Sequence, residues 1–156
     1  MFHSRPPLHD ESPVWLLIGC TAVGKTDVAV ELAQRTDAEI VSVDSRLVYR
    51  RMDIGTAKPG PDVLACAPHH LVDRVEPWET FSVAGFVELA DAAIADVRAR
   101  GRMPLLVAGT PFYLVGTLFG LFEGPSADPA FRRALRQRAA AEGTAALHAE
   151  LAALDP

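Results

Sequence analysis

The sequence predicts an α/β fold, a parallel sheet flanked by helices, and three observations predict it. Short β-branched or leucine-rich runs alternate with amphipathic stretches, the order that a parallel sheet with helices on its faces requires. The first run leads straight into Gly19-Cys20-Thr21-Ala22-Val23-Gly24-Lys25-Thr26, a G-x-x-x-x-G-K-T pattern with a helical stretch behind it, which makes the sheet P-loop NTPase-like. The chain supplies about four strands where such sheets have roughly five or more, so the core is expected to be incomplete and followed by the start of a helical insertion.

Val14 to Ile18 reads as a buried strand. Gly19 and Gly24 permit backbone angles that a side chain would forbid, so successive N–H groups can turn onto an anion. Thr21, Ala22 and Val23 complete the loop, Lys25 adds a full positive charge, and the Thr26 hydroxyl can hold Mg²⁺. A helix from Asp27 to Arg35, with Val28 and Leu32 on one face, points its N-terminus at the same spot.

Glu39 to Val43 is the second strand and stops at Asp44. Ligands of open parallel sheets gather outside the carboxyl ends of the strands, which places Asp44 and Ser45 on the rim of the phosphate loop. Asp44 is there a candidate for chemistry, or a simple loop cap. Residues 46–68 contain Gly55, Pro59, Gly60, Pro61 and Pro68 and read as irregular, with a helical turn near Pro61 to Cys66. His69 to Val75 reads as a short strand. Adjacent histidines on a strand point to opposite faces, so a shared metal is disfavoured, and one packed and one exposed ring is expected.

Ser82 caps a helix that runs to Arg98, with Phe86, Ala90, Ile94 and Val97 on its apolar face, and Gly101 stops it. Met103 to Ala108 is another strand, with Gly109 and Thr110 at its carboxyl end. Thr110 before a helix reads as a cap more readily than as a ligand. A helix follows from Phe112 to about Gly120. Gly124 to Pro129 is a break that ends in a start signal, Asp128 as N-cap and Pro129 in the first turn. The helix behind it carries Phe131 and Leu135 on one side and Arg132 and Arg136, four apart, on another. Thr144 to Leu154 forms the last helix. The expected organisation is a flexible leader (1–13), a partial P-loop core (14–122) and the start of the insertion (123–156).

Hydrophobic residues at 49% and charged residues at 22% suit a globular protein. No apolar run reaches the length of a membrane span, and Met1 to Pro13 has no apolar signal core. Cys20 and Cys66 make no metal-type spacing, which fits a reduced, cytoplasmic protein. A net charge of −5 argues against non-specific nucleic-acid binding. Locally, Arg46, Arg50, Arg51 and Lys58 form one basic cluster, and Arg132, Arg133, Arg136 and Arg138 form another. Each could equally be a solvated face.

Three segments carry a family resemblance: Gly19 to Thr26, the run from Asp44-Ser45-Arg46-Leu47 through Met52-Asp53-Ile54-Gly55-Thr56-Ala57-Lys58-Pro59, and Ala108-Gly109-Thr110-Pro111-Phe112-Tyr113-Leu114. The middle segment is the specific one. Together they resemble the tRNA dimethylallyltransferases, also called tRNA isopentenyltransferases, over the amino-terminal half of a usual member. The resemblance implies transfer of a dimethylallyl group from dimethylallyl diphosphate to N6 of adenosine 37 in the tRNA anticodon stem-loop, with Mg²⁺, in a cytoplasmic monomer that needs no membrane. It implies that the diphosphate, rather than ATP, occupies Gly19, Thr21, Ala22, Val23, Gly24, Lys25 and Thr26, with the metal at Thr26. Asp44 then accepts the N6 proton, and Asp44, Ser45, Arg46, Leu47, Thr110 and Arg132 meet tRNA. Cys20 stands where a proline is usual, Arg51 and Ala108 where glycines are common, and Pro111 where the residue varies. None removes a group that does chemistry.

Two other readings stay open. One is a P-loop kinase for a small metabolite, with Asp44 as base for a hydroxyl; such an enzyme consumes ATP, whereas a prenyltransferase ignores it. The other is a non-catalytic remnant. With half of a family member absent, the 156-residue chain alone is expected to have little activity.

Overall fold

The computed structural model describes residues 13–121, 124 and 127–155. The expected leader, apart from Pro13, and part of the Gly124 to Pro129 break therefore lie outside the described residues. The chain divides into two compact units, Met1–Phe122 and Glu123–Pro156.

In the first unit β1 (Trp15–Ile18), β2 (Ala38–Val43), β3 (His69–His70) and β4 (Met103–Ala108) form one sheet in the order β1-β4-β2-β3. Every pairing is parallel. The helices are α1 (Lys25–Thr36), α2 (Pro61–Cys66), α3 (Val83–Ala99) and α4 (Pro111–Phe119). Because side chains alternate along a strand, each sheet face receives its own helices. Val41, Val43, Leu106 and Ala108 pack with Phe86, Ala90 and Ile94 of α3 and Leu114 of α4. Ile40 and Leu105 pack on the opposite face with Ala29 and Ala33 of α1. β2 is buried at every position, as expected of an inner parallel strand.

The register sets the site. Ile18 lies opposite Ala108, and Ala108 opposite Val43. Three strand tips are level, so the segments after β1, β2 and β4 leave the sheet together along one edge.

β1 is only half buried, contrary to the expectation from its sequence. Among the described residues it is one of the two edge strands of the sheet, and Leu16 and Ile18 are 41% and 61% exposed. Their partners Leu106 and Ala108 belong to the α3–α4 face, and α3 packs on β2 and β4. Phe112, Val115 and Phe119 of α4 are also exposed.

The strand expected over His69 to Val75 runs for two residues only. Leu71 and Asp73 take left-handed angles, φ 65° and 54°, which an extended run cannot absorb; Val75 returns in an isolated parallel bridge with Tyr49. Neither histidine is exposed, correcting the expectation of one free ring. His69 Nδ1 lies 2.8 Å from the Ala67 carbonyl, and His70 Nε2 lies 2.6 Å from Glu39 Oε2.

Glu39 is buried and also accepts Arg100 Nη2 at 2.6 Å. Burial works to raise its carboxyl, but the hydrogen bonds from Arg100 and His70 outweigh it and hold the group below its ordinary 4.5. Burial holds the His69 ring below its ordinary 6.5, against the bond to the Ala67 carbonyl. With both folded values depressed, the unfolded chain takes up each proton first as pH falls, and stability drops. Melting temperature should therefore fall in two steps on acidification, one starting near 6.5 and one near 4.5. Thermal melts across this range check it. Glu39→Gln, although less stable throughout, should flatten the lower step, and His69→Gln the upper.

Ser82 Oγ accepts the Gly85 N–H at 3.2 Å to cap α3, worth about 1 kcal/mol, and Gly101 ends that segment at φ 72°.

The second unit is a helical pair, α5 (Pro129–Glu142) and α6 (Thr144–Leu154). Asp128 Oδ1 accepts from Ala130 N and Phe131 N at 2.8 and 3.0 Å, with Pro129 in the first turn, as the start signal required. Gly143 at φ 87° turns the chain between the helices, and Arg138 joins Glu142 to Glu150. No residue in either helix is buried.

Candidate active site

The loop after β1 turns through residues 19–24 into α1. Ala22 and Gly24 are left-handed, at φ 64° and 90°. Gly19 is not, so its need for glycine is room rather than angle: a Cβ there would stand 3.1 Å from Val23 Cγ1 and 3.6 Å from Lys25 Cγ and Cδ. Gly24 occupies the N-cap of α1 without any side-chain cap, which leaves first-turn N–H groups for an anion. Lys25 Nζ donates to the Cys20 carbonyl at 2.7 Å, so the ammonium folds over its own loop.

At the tip of β2, Asp44 serves as loop cap and keeps an oxygen in reserve. Oδ1 accepts from Arg46 N at 2.7 Å and Leu47 N at 3.3 Å, an Asx-type turn. Among the described residues Oδ2 accepts no hydrogen bond; it faces Gly109, where a Cβ would stand 2.6 Å away. The tips of β2 and β4 are stitched together beside it. Gly109 N and Thr110 N both donate to the Val43 carbonyl, at 3.1 and 3.3 Å. Thr110 Oγ1 accepts from Ser45 N at 3.0 Å and bonds Ser45 Oγ at 3.3 Å. Thr110 holds the N-cap position of α4, yet its side chain makes no capping bond. Its hydroxyl is committed to Ser45, not to the helix.

These groups share one cavity of about 580 Å³. Thr21, Ala22, Gly24, Lys25 and Thr26 line it from the phosphate loop, and Asp44, Ser45, Arg46, Leu47 and Thr110 from the neighbouring strand tips. Gly19 and Val23 do not line it; Val23 is exposed. Arg132 is exposed on α5, in the second unit. The cavity also takes Ser42, Gly109 and the triplet Gly55, Thr56 and Ala57, which were not singled out from the sequence as site residues. A buried serine within an otherwise apolar strand tip was the available signal for Ser42. Tyr113 is close enough to matter electrostatically: burial raises its phenol above the ordinary 10.0, with Tyr49 and Asp44 adding to the effect.

Gly109 holds the Asp44 carboxylate in place by being absent as a side chain. A methyl at residue 109 must push Oδ2 away, and the two amides on Oδ1 resist the rotation. Gly109→Ala in the full-length gene product should slow any step that uses Oδ2 by about 10- to 100-fold, since small misplacements of a reacting group cost that much. Its melting temperature should stay near wild type. Unchanged turnover would show that the Oδ2 position is immaterial.

Of the first basic cluster only Lys58 is turned inward; Arg46, Arg50 and Arg51 are exposed, as on a solvated face. Lys58 is buried, its side chain 5% exposed, with Nζ at 2.6 Å from Asp73 Oδ1, 2.8 Å from Asp53 Oδ1 and 2.7 Å from the Tyr49 carbonyl. Burial works to lower its ammonium, but the two aspartates outweigh it and raise the group above its ordinary 10.5. Arg50 and Arg51 both reach Glu76, at 3.6 and 3.3 Å. Arg51 sits at φ 61°, a conformation that costs a non-glycine residue about 1–2 kcal/mol, and it stacks 5.2 Å above the Trp78 ring. Among the described residues, the Arg46 guanidinium has no carboxylate partner.

A level parallel sheet whose glycine-rich loop and strand-tip carboxylate open into one cavity is a P-loop-like α/β core. The comparisons give the family. The family model described as IPP transferase matches residues 47–156, and that described as isopentenyl transferase matches residues 12–74. The chain belongs to the IPP transferase family. It is 57% identical to a tRNA dimethylallyltransferase of Methylococcus capsulatus over 92% of this chain and 46% of that protein. A tRNA dimethylallyltransferase of Thioalkalivibrio sulfidiphilus is 56% identical, with 92% and 45% covered. Among solved structures, the full-length tRNA isopentenylpyrophosphate transferase of Bacillus halodurans is 42% identical with a TM-score of 0.68, covering 94% of this chain and 48% of that one. A eukaryotic dimethylallyltransferase described as acting on tRNA is 30% identical, also with a TM-score of 0.68, over 77% and 31%. The chain thus spans about half the length of the curated relatives it matches.

Proposed function

We propose that this chain forms the donor-binding and proton-accepting half of a tRNA dimethylallyltransferase. The single observation that carries the reading is the common cavity of Lys25, Thr26 and Asp44. A diphosphate at the loop is held by main-chain N–H groups and the Lys25 ammonium, where the departing charge develops. The adenine N6 of tRNA residue 37 attacks the allylic carbon; the bond from that carbon to the diphosphate oxygen breaks, and its electron pair leaves with the diphosphate. The proton lost from N6 passes to Asp44, whose Oδ2 is the uncommitted oxygen.

Mg²⁺ fits this cavity. Among the described residues no group of three or more His, Cys, Asp or Glu is placed to hold a metal, while the Thr26 hydroxyl supplies a hard oxygen beside the phosphates. Mg²⁺ takes one or two protein oxygens and completes its shell with phosphate and water. When bound it would supply charge neutralisation on the leaving group.

Ser45, Arg46, Leu47 and Thr110 are the proposed RNA contacts of the core. Residues 123–156 are proposed to begin a helical insertion that meets tRNA through Arg132. The adenine must leave its stack to reach the carboxylate, as for other base-modifying enzymes. A cytoplasmic monomer is the proposed form; among the described residues no helix is long and apolar enough to cross a membrane.

The test is to incubate the full-length gene product with radiolabelled dimethylallyl diphosphate, Mg²⁺ and total tRNA, with ATP and small alcohols as controls. Label is expected in tRNA. ATP consumption without label in tRNA would favour a kinase instead.

A further inference from the structure

We propose that Lys58 is a positioning residue, a buried clamp that holds the Gly55-Thr56-Ala57 wall of the cavity in its working shape. The inference rests on the functional reading above and deepens it.

The wall is under tension and has little else to hold it. Gly55 and Ala57 are both left-handed, at φ 76° and 55°, and Ala57 has no glycine freedom to make that conformation easy. Ile54, next to the wall, is 97% exposed, so no apolar packing of that side chain pins the segment. Within the segment, Thr56 Oγ1 donates to the Met52 carbonyl at 2.6 Å. Among the described residues the other side-chain hydrogen bonds of residues 53–58 are those of Lys58. Its bond to Asp53 closes a six-residue ring of chain around residues 54–57. Its bonds to Asp73 and the Tyr49 carbonyl anchor that ring to the segment bridged to β3's continuation, where Tyr49 pairs with Val75.

A surface lysine seeking RNA phosphate would extend outward. This one is directed inward, with three acceptors within 2.8 Å. An ammonium can satisfy three acceptors in three directions at once, which suits a junction of three chain segments. Removing it leaves the exposed Asp53 and Asp73 carboxylates without their shared counter-charge, and the strained segment keeps only the Thr56 bond to the Met52 carbonyl. The phosphate loop lines the same cavity from the segment between β1 and α1, and no bond of Lys58 reaches it. Loss of the clamp should therefore harm alignment of the acceptor RNA with the donor more than binding of the donor itself.

The full-length gene product decides the matter in three forms: wild type, Lys58→Met and Asp53→Asn. Lys58→Met should lower kcat/KM for tRNA by about 100-fold, the size expected for a misplaced positioning wall, while donor KM changes by less than about 3-fold. Amide exchange of residues 53–58 should quicken by at least about 10-fold, with α3 and β4 unchanged, the signature of local rather than global loosening. Asp53→Asn keeps the bonds to Asp73 and Tyr49 and should show the same pattern at about a tenth of the effect on kcat/KM. Wild-type kcat/KM for tRNA in Lys58→Met would overturn the proposal. So would equal losses for donor and tRNA together with lost protection throughout the core, which would mark Lys58 as a stability residue only. If Lys58→Met does not fold, Asp53→Asn decides alone, and an unchanged kcat/KM for tRNA overturns the clamp. If wild type transfers no label, the functional reading has failed, and exchange at residues 53–58 still supports or overturns the clamp by itself.

Discussion

Asp44→Asn should reduce prenyl transfer by about 10²- to 10⁴-fold, the usual contribution of a positioned general base, and leave the donor bound as before. Asparagine is the informative replacement. Its side-chain oxygen can still accept the Arg46 and Leu47 amides that Asp44 Oδ1 holds at 2.7 and 3.3 Å, so the turn survives and only the proton acceptor is lost. Alanine would remove both, and a slow alanine variant could not separate turn from base. Single-turnover transfer, with donor affinity measured by calorimetry alongside, distinguishes the two. An asparagine variant at wild-type rate would mean that another group takes the N6 proton.

Lys25→Met should be nearly as damaging, by a different route. The methionine keeps an unbranched stem beside Gly19, where the lysine Cγ and Cδ lie 3.6 Å from the point a Cβ on residue 19 would occupy, but it carries no charge. The ammonium opposes charge that grows as the allylic bond breaks, and removing such a group costs about 10²- to 10³-fold in kcat. Some affinity for the ground-state diphosphate is expected to go too. Lys25 Nζ donates to the Cys20 carbonyl, and an ammonium has two further N–H donors, so a phosphate oxygen adds to that bond rather than replacing it. The measurement is kcat and donor KM together. A raised donor KM with kcat unchanged would assign Lys25 to binding alone.

Much of this site was legible because its parts are sequence-local. A phosphate loop is eight consecutive residues between a strand and a helix, and its geometry follows from that order. Asp44 and Thr110 were legible for a similar reason: in a parallel sheet every strand tip delivers its next residues to one edge. What the sequence concealed was pairwise. Nothing in the residues around Gly109 states that a carboxylate from another strand will lie within 2.6 Å of an added Cβ. Lys58 looked like part of a basic patch because its aspartates are five and fifteen positions away, and only the fold turns the lysine inward beneath two carboxylates that stay solvent-exposed. Leu71 and Asp73 break the third strand through backbone angles that their side-chain types do not advertise. β1 looked buried because its composition is that of an inner strand, and composition does not say whether a neighbour is present on each side.

That last feature bears on how firmly the anion can be gripped. The phosphate loop is a cantilever, fixed to a strand that is braced by β4 along one side. Among the described residues the other side carries no strand, and by linkage any strand added there that tightened the grip on an anion would itself be held more tightly once the anion is bound.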